Sequence, residues 1–189
     1  MMTVKMQPNW FVALPVRQTE ELLKQLAMSA PSAMRLFDAA DTHLTIAFMG
    51  AMPASLASNV LEVMRQIYFE PFIISLKKLV PLPSIQRPSA FSFTLDKGNE
   101  QASAIIERWR DALTAAGKAS FDRRPPLPHL TIGRLQRKHR VEEVRTCLQW
   151  VSQLPQIPFE TLIDSIALYT WSEDRRRRQF KIVEEYIMS

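Results

Sequence analysis

Two stretches, THLTIAFMG at residues 42–50 and PHLTIGRL at residues 128–135, share the tetrapeptide His-Leu-Thr-Ile, with His43 and His129 standing 86 positions apart. In both, apolar residues alternate with polar or small ones, the period-two pattern of a strand with one buried face. Residues i and i+2 of a strand project to the same side. His43 therefore shares a face with Thr45, and His129 with Thr131. Leu44, Ile46, Leu130 and Ile132 point the other way, into apolar packing, and Phe48 continues that apolar series. Ala47 and Gly133 are expected to extend the polar face with small side chains and leave room beside the histidines.

The same order of elements surrounds each stretch. FVALPV (11–16) reads as a strand. Thr19 is placed to cap a helix reaching about Met28, with Leu22, Leu23 and Leu26 on one face. After the first motif strand come a helix over about Pro53 to Phe69, striped by Leu56, Val60, Met64 and Ile67, and a strand over Phe72 to Leu79. PLPSIQRPS (81–89) reads as a linker. Beyond it the order repeats: a strand over Ala90 to Leu95, a helix over Asn99 to Ala116 stopped by Gly117, and the second motif strand. A helix over Val141 to Val151 follows, then strands over 158–171 and 179–187 around a charged turn.

This is a duplication of a long unit rather than a short-period solenoid. The expected fold is α+β, one domain over residues 1–189 with lobes at about 10–80 and 90–189. Two antiparallel-rich sheets with outer helices would face one another across a central groove, related by a pseudo-two-fold axis. The element order leaves room for strands to be exchanged between lobes.

Composition narrows the partner class. Lys and Arg number 24 against 19 Asp and Glu, a formal charge of +5, which favours an anionic partner. The 47 % apolar content supports a real core, and 4 glycines leave little for a glycine-rich nucleotide loop. A lone cysteine, Cys147, excludes an internal disulfide and suits a reducing compartment. Met1 to Pro8 carries no secretory apolar region, and the apolar runs are too short to span a membrane. A cytoplasmic monomer without membrane association is the expected state.

Two imidazoles facing one another suit phosphodiester chemistry. With an ordinary pKa of about 6.5, one can be neutral and accept a proton while the other is protonated and donates one. The Thr45 and Thr131 hydroxyls can then bond the non-bridging phosphate oxygens. Nothing in this arrangement calls for a cofactor. A metal site reads poorly: there is no H-E-x-x-H, no cysteine pair, and no carboxylate beside either histidine on its face.

The paired H-x-T motifs resemble the two-histidine (2H) phosphoesterase superfamily, and within it the bacterial 2′-5′ RNA ligase-like proteins, or RNA 2′,3′-cyclic phosphodiesterases. FVALPV, RLFDAADTHLTIAFMG, PHLTIGR and IALYTWSEDRRRRQF carry the resemblance, which runs from about Phe11 to Phe180. The last departs from the family pattern, which has a shorter, glycine-bearing turn and a tyrosine where Phe180 stands. The resemblance implies His43 and His129 as catalytic residues, Thr45 and Thr131 as phosphate ligands, and an RNA or nucleotide with a cyclic phosphate end as substrate. The implied reaction opens that phosphate to a 2′-phosphomonoester without metal or cofactor. Ligation would be its reverse, with a 5′-hydroxyl in place of water. No G-x-x-x-x-G-K-[ST] loop is present to suggest an ATP-driven ligase.

Several residues stay open at this level. Alternation puts Arg134 opposite His129, so phosphate contact needs a bulge, whereas the resemblance implies a site role. The basic flank from Arg123 to Arg145, and the run Arg175, Arg176, Arg177 and Arg178, either steer an RNA backbone or are solvated turns. His139 is expected to be exposed and uninvolved. Trp10, Phe11, Tyr169 and Trp171 are candidates to stack a base or to fill the core. Two other functions compete: the same chemistry on 2′-5′ oligonucleotides, cyclic oligonucleotides or ADP-ribose cyclic phosphate, and a non-catalytic RNA-binding module.

Overall fold

The computed structural model describes residues 7–189; residues 1–6, part of the stretch read as lacking a secretory segment, lie outside the described residues. Within them the chain runs β1 (Asn9–Pro15), α1 (Glu20–Ala27), β2 (Met34–Leu36), β3 (His43–Ala51), α2 (Ala57–Met64), β4 (Phe72–Leu82) and β5 (Ala90–Leu95). It continues as α3 (Asn99–Ala116), β6 (His129–Leu135), α4 (Val141–Gln153), β7 (Glu160–Ile163), β8 (Ser165–Trp171) and β9 (Phe180–Ile187). No helix among the described residues is long and apolar enough to cross a membrane.

The architecture is α+β, and all of the strand pairings are antiparallel. Two half-sheets, β7-β4-β5-β6 and β3-β1-β8-β9, join edge to edge through the motif strands, with β2 also on β6. The junction is a single rung, Leu44 opposite Leu130. Each repeat lends its third strand to the other half: β4 lies beside β5, and β8 lies beside β1. The stretch 158–171 is therefore two strands, because the chain crosses from one half at β7 to the other at β8. One face of the sheet carries the main core, including Leu44, Ile46, Leu130 and Ile132, all at most 3 % exposed.

Local details differ from the sequence expectations for physical reasons. The helix expected over Pro53 to Phe69 is shorter, a single 3₁₀ turn at Ala54–Leu56 followed by α2. Thr19 precedes α1 without capping it; its buried hydroxyl lies 2.9 Å from that of Thr42, tying the helix start to the approach to β3. Gly117 does end α3, but with φ −80, and the left-handed residue is Lys118 at φ 53. Glycine is required there by space, since a Cβ would come within 2.5 Å of Met49 Cγ on β3.

Both motif strands carry a bulge at the same place in the repeat. Along β1–β3, Val12 pairs Ala47 and Ala13 pairs Thr45, leaving Ile46 unmatched. Along β5–β6, Phe91 pairs Gly133 and Ser92 pairs Thr131, leaving Ile132 unmatched. An unmatched residue shifts the alternation of everything after it. Ala47 is thus core, at 0 % exposed, and Gly133 is buried against β2, where a Cβ would meet the Arg35 carbonyl at 2.8 Å. The expectation that Ala47 and Gly133 line the polar face is corrected accordingly. Phe48, expected in the core, is 56 % exposed instead.

Candidate active site

The Leu44–Leu130 rung sets the two H-x-T motifs side by side in opposite directions. Continued by one residue each way, that register brings His43 towards Thr131 and Thr45 towards His129. The imidazoles are held alike. His43 Nδ1 donates to the Asp41 carbonyl at 2.7 Å, and His129 Nδ1 donates to the Leu127 carbonyl at 2.6 Å. A carbonyl only accepts, so Nδ1 carries a hydrogen in either charge state and Nε2 is the position that takes up or gives the second proton. The repeat thus extends past the tetrapeptide to the carbonyl two residues upstream.

Their surroundings are unequal. His43 sits among Phe11, Tyr169 and Phe180, with ring centroids at 4.6, 5.3 and 5.6 Å. Burial in this aromatic box, reinforced by the positive charges of His129 and Arg134, holds its pKa down at about 4. His129 is also lowered, first by burial and then by Arg124, against the Leu127 hydrogen bond. Phe11 and Tyr169, both 1 % exposed, stack at 4.9 Å and belong to a small second core under β9. They frame His43 rather than offer a surface for a base, and Trp10 is likewise buried.

The threonines differ too. The Thr131 hydroxyl lies 2.9 Å from that of Ser92, its neighbour on β5, whereas the residue opposite Thr45 on β1 is Ala13. Ser92 orients Thr131 and was not found from sequence, because a serine inside AFSFTL carries no signal of its own. The bulge at Ile132 brings Arg134 to the histidine side, which meets the condition that alternation had set. Its guanidinium lies 5.9 Å from the Phe37 ring, and it is among the charges acting on His43. Phe48 occupies the matching position in the first repeat, five residues after the histidine.

The β8–β9 hairpin closes over this region through a residue the sequence did not reveal. Asp41, 1 % exposed, accepts hydrogen bonds from the backbone N–H groups of Gln179 (2.7 Å) and Phe180 (2.9 Å). Its own carbonyl holds His43, so one residue links the hairpin to the imidazole. Burial raises the Asp41 pKa against those two hydrogen bonds and the Arg178 charge. Replacing Asp41 with alanine leaves two inward N–H groups without acceptors, an expected destabilisation of about 3 kcal/mol. Asp41→Asn retains one oxygen and should lose roughly half as much. Urea unfolding of the two variants beside the parent measures both; equal stability in all three overturns the role.

The remaining candidates separate cleanly. In the arginine run, Arg175 and Arg178 are partly buried while Arg176 and Arg177 are exposed. Arg175 lies over the half-buried Trp171 ring at 4.3 Å. In the Arg123–Arg145 flank, Arg124 is paired with Asp122, and the Arg140 backbone N–H at the start of α4 donates to the Glu143 carboxylate. His139 is exposed, its Nδ1 bonded to the Gln136 carbonyl in the turn before α4. Concavities of about 540 and 530 Å³ flank α4 and hold none of the motif residues. Among the described residues no three His, Cys, Asp or Glu side chains converge as a metal site.

A split antiparallel sheet with a histidine and threonine from each half at the seam defines a two-histidine phosphoesterase architecture. The chain belongs to the 2′-5′ RNA ligase superfamily, whose family model matches residues 15–175. An RNA 2′,3′-cyclic phosphodiesterase of Geobacillus stearothermophilus is 27 % identical over 134 residues, which are 67 % of this chain and 41 % of that relative. The chain thus spans less than half the length of the curated relative it matches. The apo structure of Escherichia coli LigT superposes with a TM-score of 0.72 at 18 % identity, covering 97 % of this chain and 99 % of that one. LigT complexed with 3′-AMP gives 0.72 at 17 % identity with the same coverage. A Thermus thermophilus structure gives 0.69 at 18 %, covering 95 % and 97 %. These structural likenesses establish the fold.

Proposed function

We propose that this chain hydrolyses RNA 2′,3′-cyclic phosphate ends to 2′-phosphomonoesters by acid–base catalysis between His43 and His129, without a metal. The observation that carries this reading is the matched pair of imidazoles, each with Nδ1 tied to a carbonyl and Nε2 left to exchange a proton. The named activity of the Geobacillus relative and the 3′-AMP complex of LigT support the substrate class.

His43, with its pKa near 4, is neutral at ordinary pH and accepts a proton from the attacking water. The water oxygen bonds to phosphorus as the bond from phosphorus to the 3′-oxygen breaks. His129, the less enclosed ring, donates a proton to that oxygen. The phosphate stays on the 2′-oxygen. Thr45 and Thr131 donate hydrogen bonds to the non-bridging oxygens, with Thr131 oriented by Ser92, and Arg134 adds positive charge on the same side. The exposed Phe48 ring gives a nucleobase a flat apolar surface. A 5′-hydroxyl replacing water would form a 2′-5′ linkage instead.

The test is incubation with 2′,3′-cyclic AMP and with an oligonucleotide ending in a cyclic phosphate, in EDTA, reading the product phosphate position by ³¹P NMR. Conversion of the oligonucleotide to a 2′-monoester is expected. A preference for 2′-5′ oligonucleotides, cyclic oligonucleotides or ADP-ribose cyclic phosphate in a parallel panel would redirect the substrate assignment. RNA binding with no turnover of any of them would leave a binding module.

A further inference from the structure

The four consecutive arginines of the β8–β9 hairpin do not form one patch. Arg178 turns towards the Asp41 carboxylate, 3.9 Å from Nε, and its Nη2 donates to the Ala40 carbonyl. Arg176 and Arg177 face solvent. Arg175 is the member of the run whose charge acts on Arg134. Its guanidinium lies 4.3 Å over the Trp171 ring and donates from Nη2 to Gln179 Oε1 at 3.3 Å, and its carbonyl accepts from Arg35 Nη2 at 3.0 Å and Gln179 Nε2 at 2.8 Å. Arg35 is the ladder partner of Arg134. Directly opposed residues of an antiparallel pair project to one side, so the arginines of β2 and β6 share a face with the incoming hairpin.

Two guanidiniums brought near one another normally share a carboxylate. Here they do not. Among the described residues Arg35, Arg134 and Arg175 enter no ion pair; Asp41 serves the hairpin backbone and Arg178, Glu173 pairs Lys181, and Asp174 bonds the Arg176 N–H within the turn. Arg175 Nε is inaccessible to solvent yet has no hydrogen-bond partner. Burial lowers the Arg134 pKa, and the charge of Arg175 adds to that. Two like charges that act on one another, one of them with an Nε donor that the protein does not satisfy, suit an anionic group shared between them.

We infer that Arg134 and Arg175 form a second anion subsite beside His43, which takes the neighbouring phosphate of a nucleotide whose reacting phosphate lies between the histidines. It rests on the proposed function for the identity of that first phosphate. The chemistry selected is a nucleotide carrying two phosphates, as on a strand end with a 5′ phosphodiester, over one carrying a single phosphate. Arginine suits this role because its planar fork matches two phosphate oxygens at once.

Calorimetry on the full chain with 3′-AMP and with adenosine 3′,5′-bisphosphate isolates the second phosphate. The bisphosphate is expected to bind about tenfold more tightly, the size of one charge-assisted contact pair. Arg175→Gln should abolish that advantage, while Arg176→Gln, an equal loss of charge in the same hairpin, should keep it. Equal affinity for the two nucleotides in the parent chain overturns the subsite. So does an advantage that survives in Arg175→Gln, or one lost equally in both variants. If the advantage behaves as expected but no cyclic phosphate is turned over, the subsite stands and the proposed reaction fails. If neither nucleotide binds, both fall.

Discussion

Replacing either His43 or His129 with alanine is expected to lower kcat on a cyclic-phosphate-ended oligonucleotide by about 10²–10⁴-fold. The double variant should be little worse than either single one, since an acid and a base acting in one step fail as a unit. The two substitutions are not structurally equal. His43 fills a box of three aromatic rings, so its removal opens a cavity next to Phe11 and Phe180. Part of any loss at His43 could then come from a displaced hairpin. His43→Gln, which keeps much of the volume without the base, separates the two: chemistry predicts that it is as inactive as His43→Ala while melting closer to the parent. Among the described residues no aromatic ring packs on His129, which should lose activity with little change in Tm. His139→Ala, at the exposed turn before α4, is the matching control and should leave turnover intact. Retained activity in the double variant would remove the imidazoles from the mechanism altogether.

How much of this was legible beforehand follows from how each feature is encoded. The seam is local in sequence: a strand period and a repeated tetrapeptide are enough to place four side chains on one face. The bulges are not. Ile46 and Ile132 are ordinary strand residues, and nothing in HLTIAF or HLTIGR marks an unmatched residue until the partner strands supply the register. Everything downstream of the bulge was therefore misplaced by one face, which put Phe48 inside and Ala47 and Gly133 outside. The Asp41 link is invisible for a different reason. It joins a carboxylate to backbone N–H groups 138 and 139 residues away, and backbone donors leave no trace in composition. The same holds for Ser92, whose meaning comes only from lying opposite Thr131. The strand exchange was allowed by the element order, but which strand crosses depends on pairings far apart in the chain.

In the proposed mechanism the unequal environments of the two imidazoles divide the roles of acid and base, and pH tests that division. His43 must be neutral to accept a proton, and its pKa near 4 keeps it so at any pH well above that. His129 must be protonated to donate, and burial and Arg124 set its pKa below the ordinary 6.5. The competent pair therefore declines as pH rises past the His129 pKa. The profile of kcat/KM, which reports the free enzyme, should be a bell with its acid limb near pH 4 and its alkaline limb below 6.5, falling about tenfold per pH unit beyond. A bound phosphate is an anion next to His129 and favours its charged form, so the alkaline limb of kcat should lie higher than that of kcat/KM. Arg124→Gln removes a cation acting on His129 and frees the Asp122 carboxylate, so both alkaline limbs should move up. Folding is tied to the same shift. A neutral His43 contributes stability in full above pH 6.5, and that contribution is lost as pH falls through about 4, where the aromatic box must accept a charge. Initial-rate profiles from pH 3.5 to 8.5, with Tm measured at each point, test the assignment. A kcat/KM that climbs between pH 6.5 and 8 would mean that neither ring needs to be protonated, and the division of acid and base between His129 and His43 would be wrong.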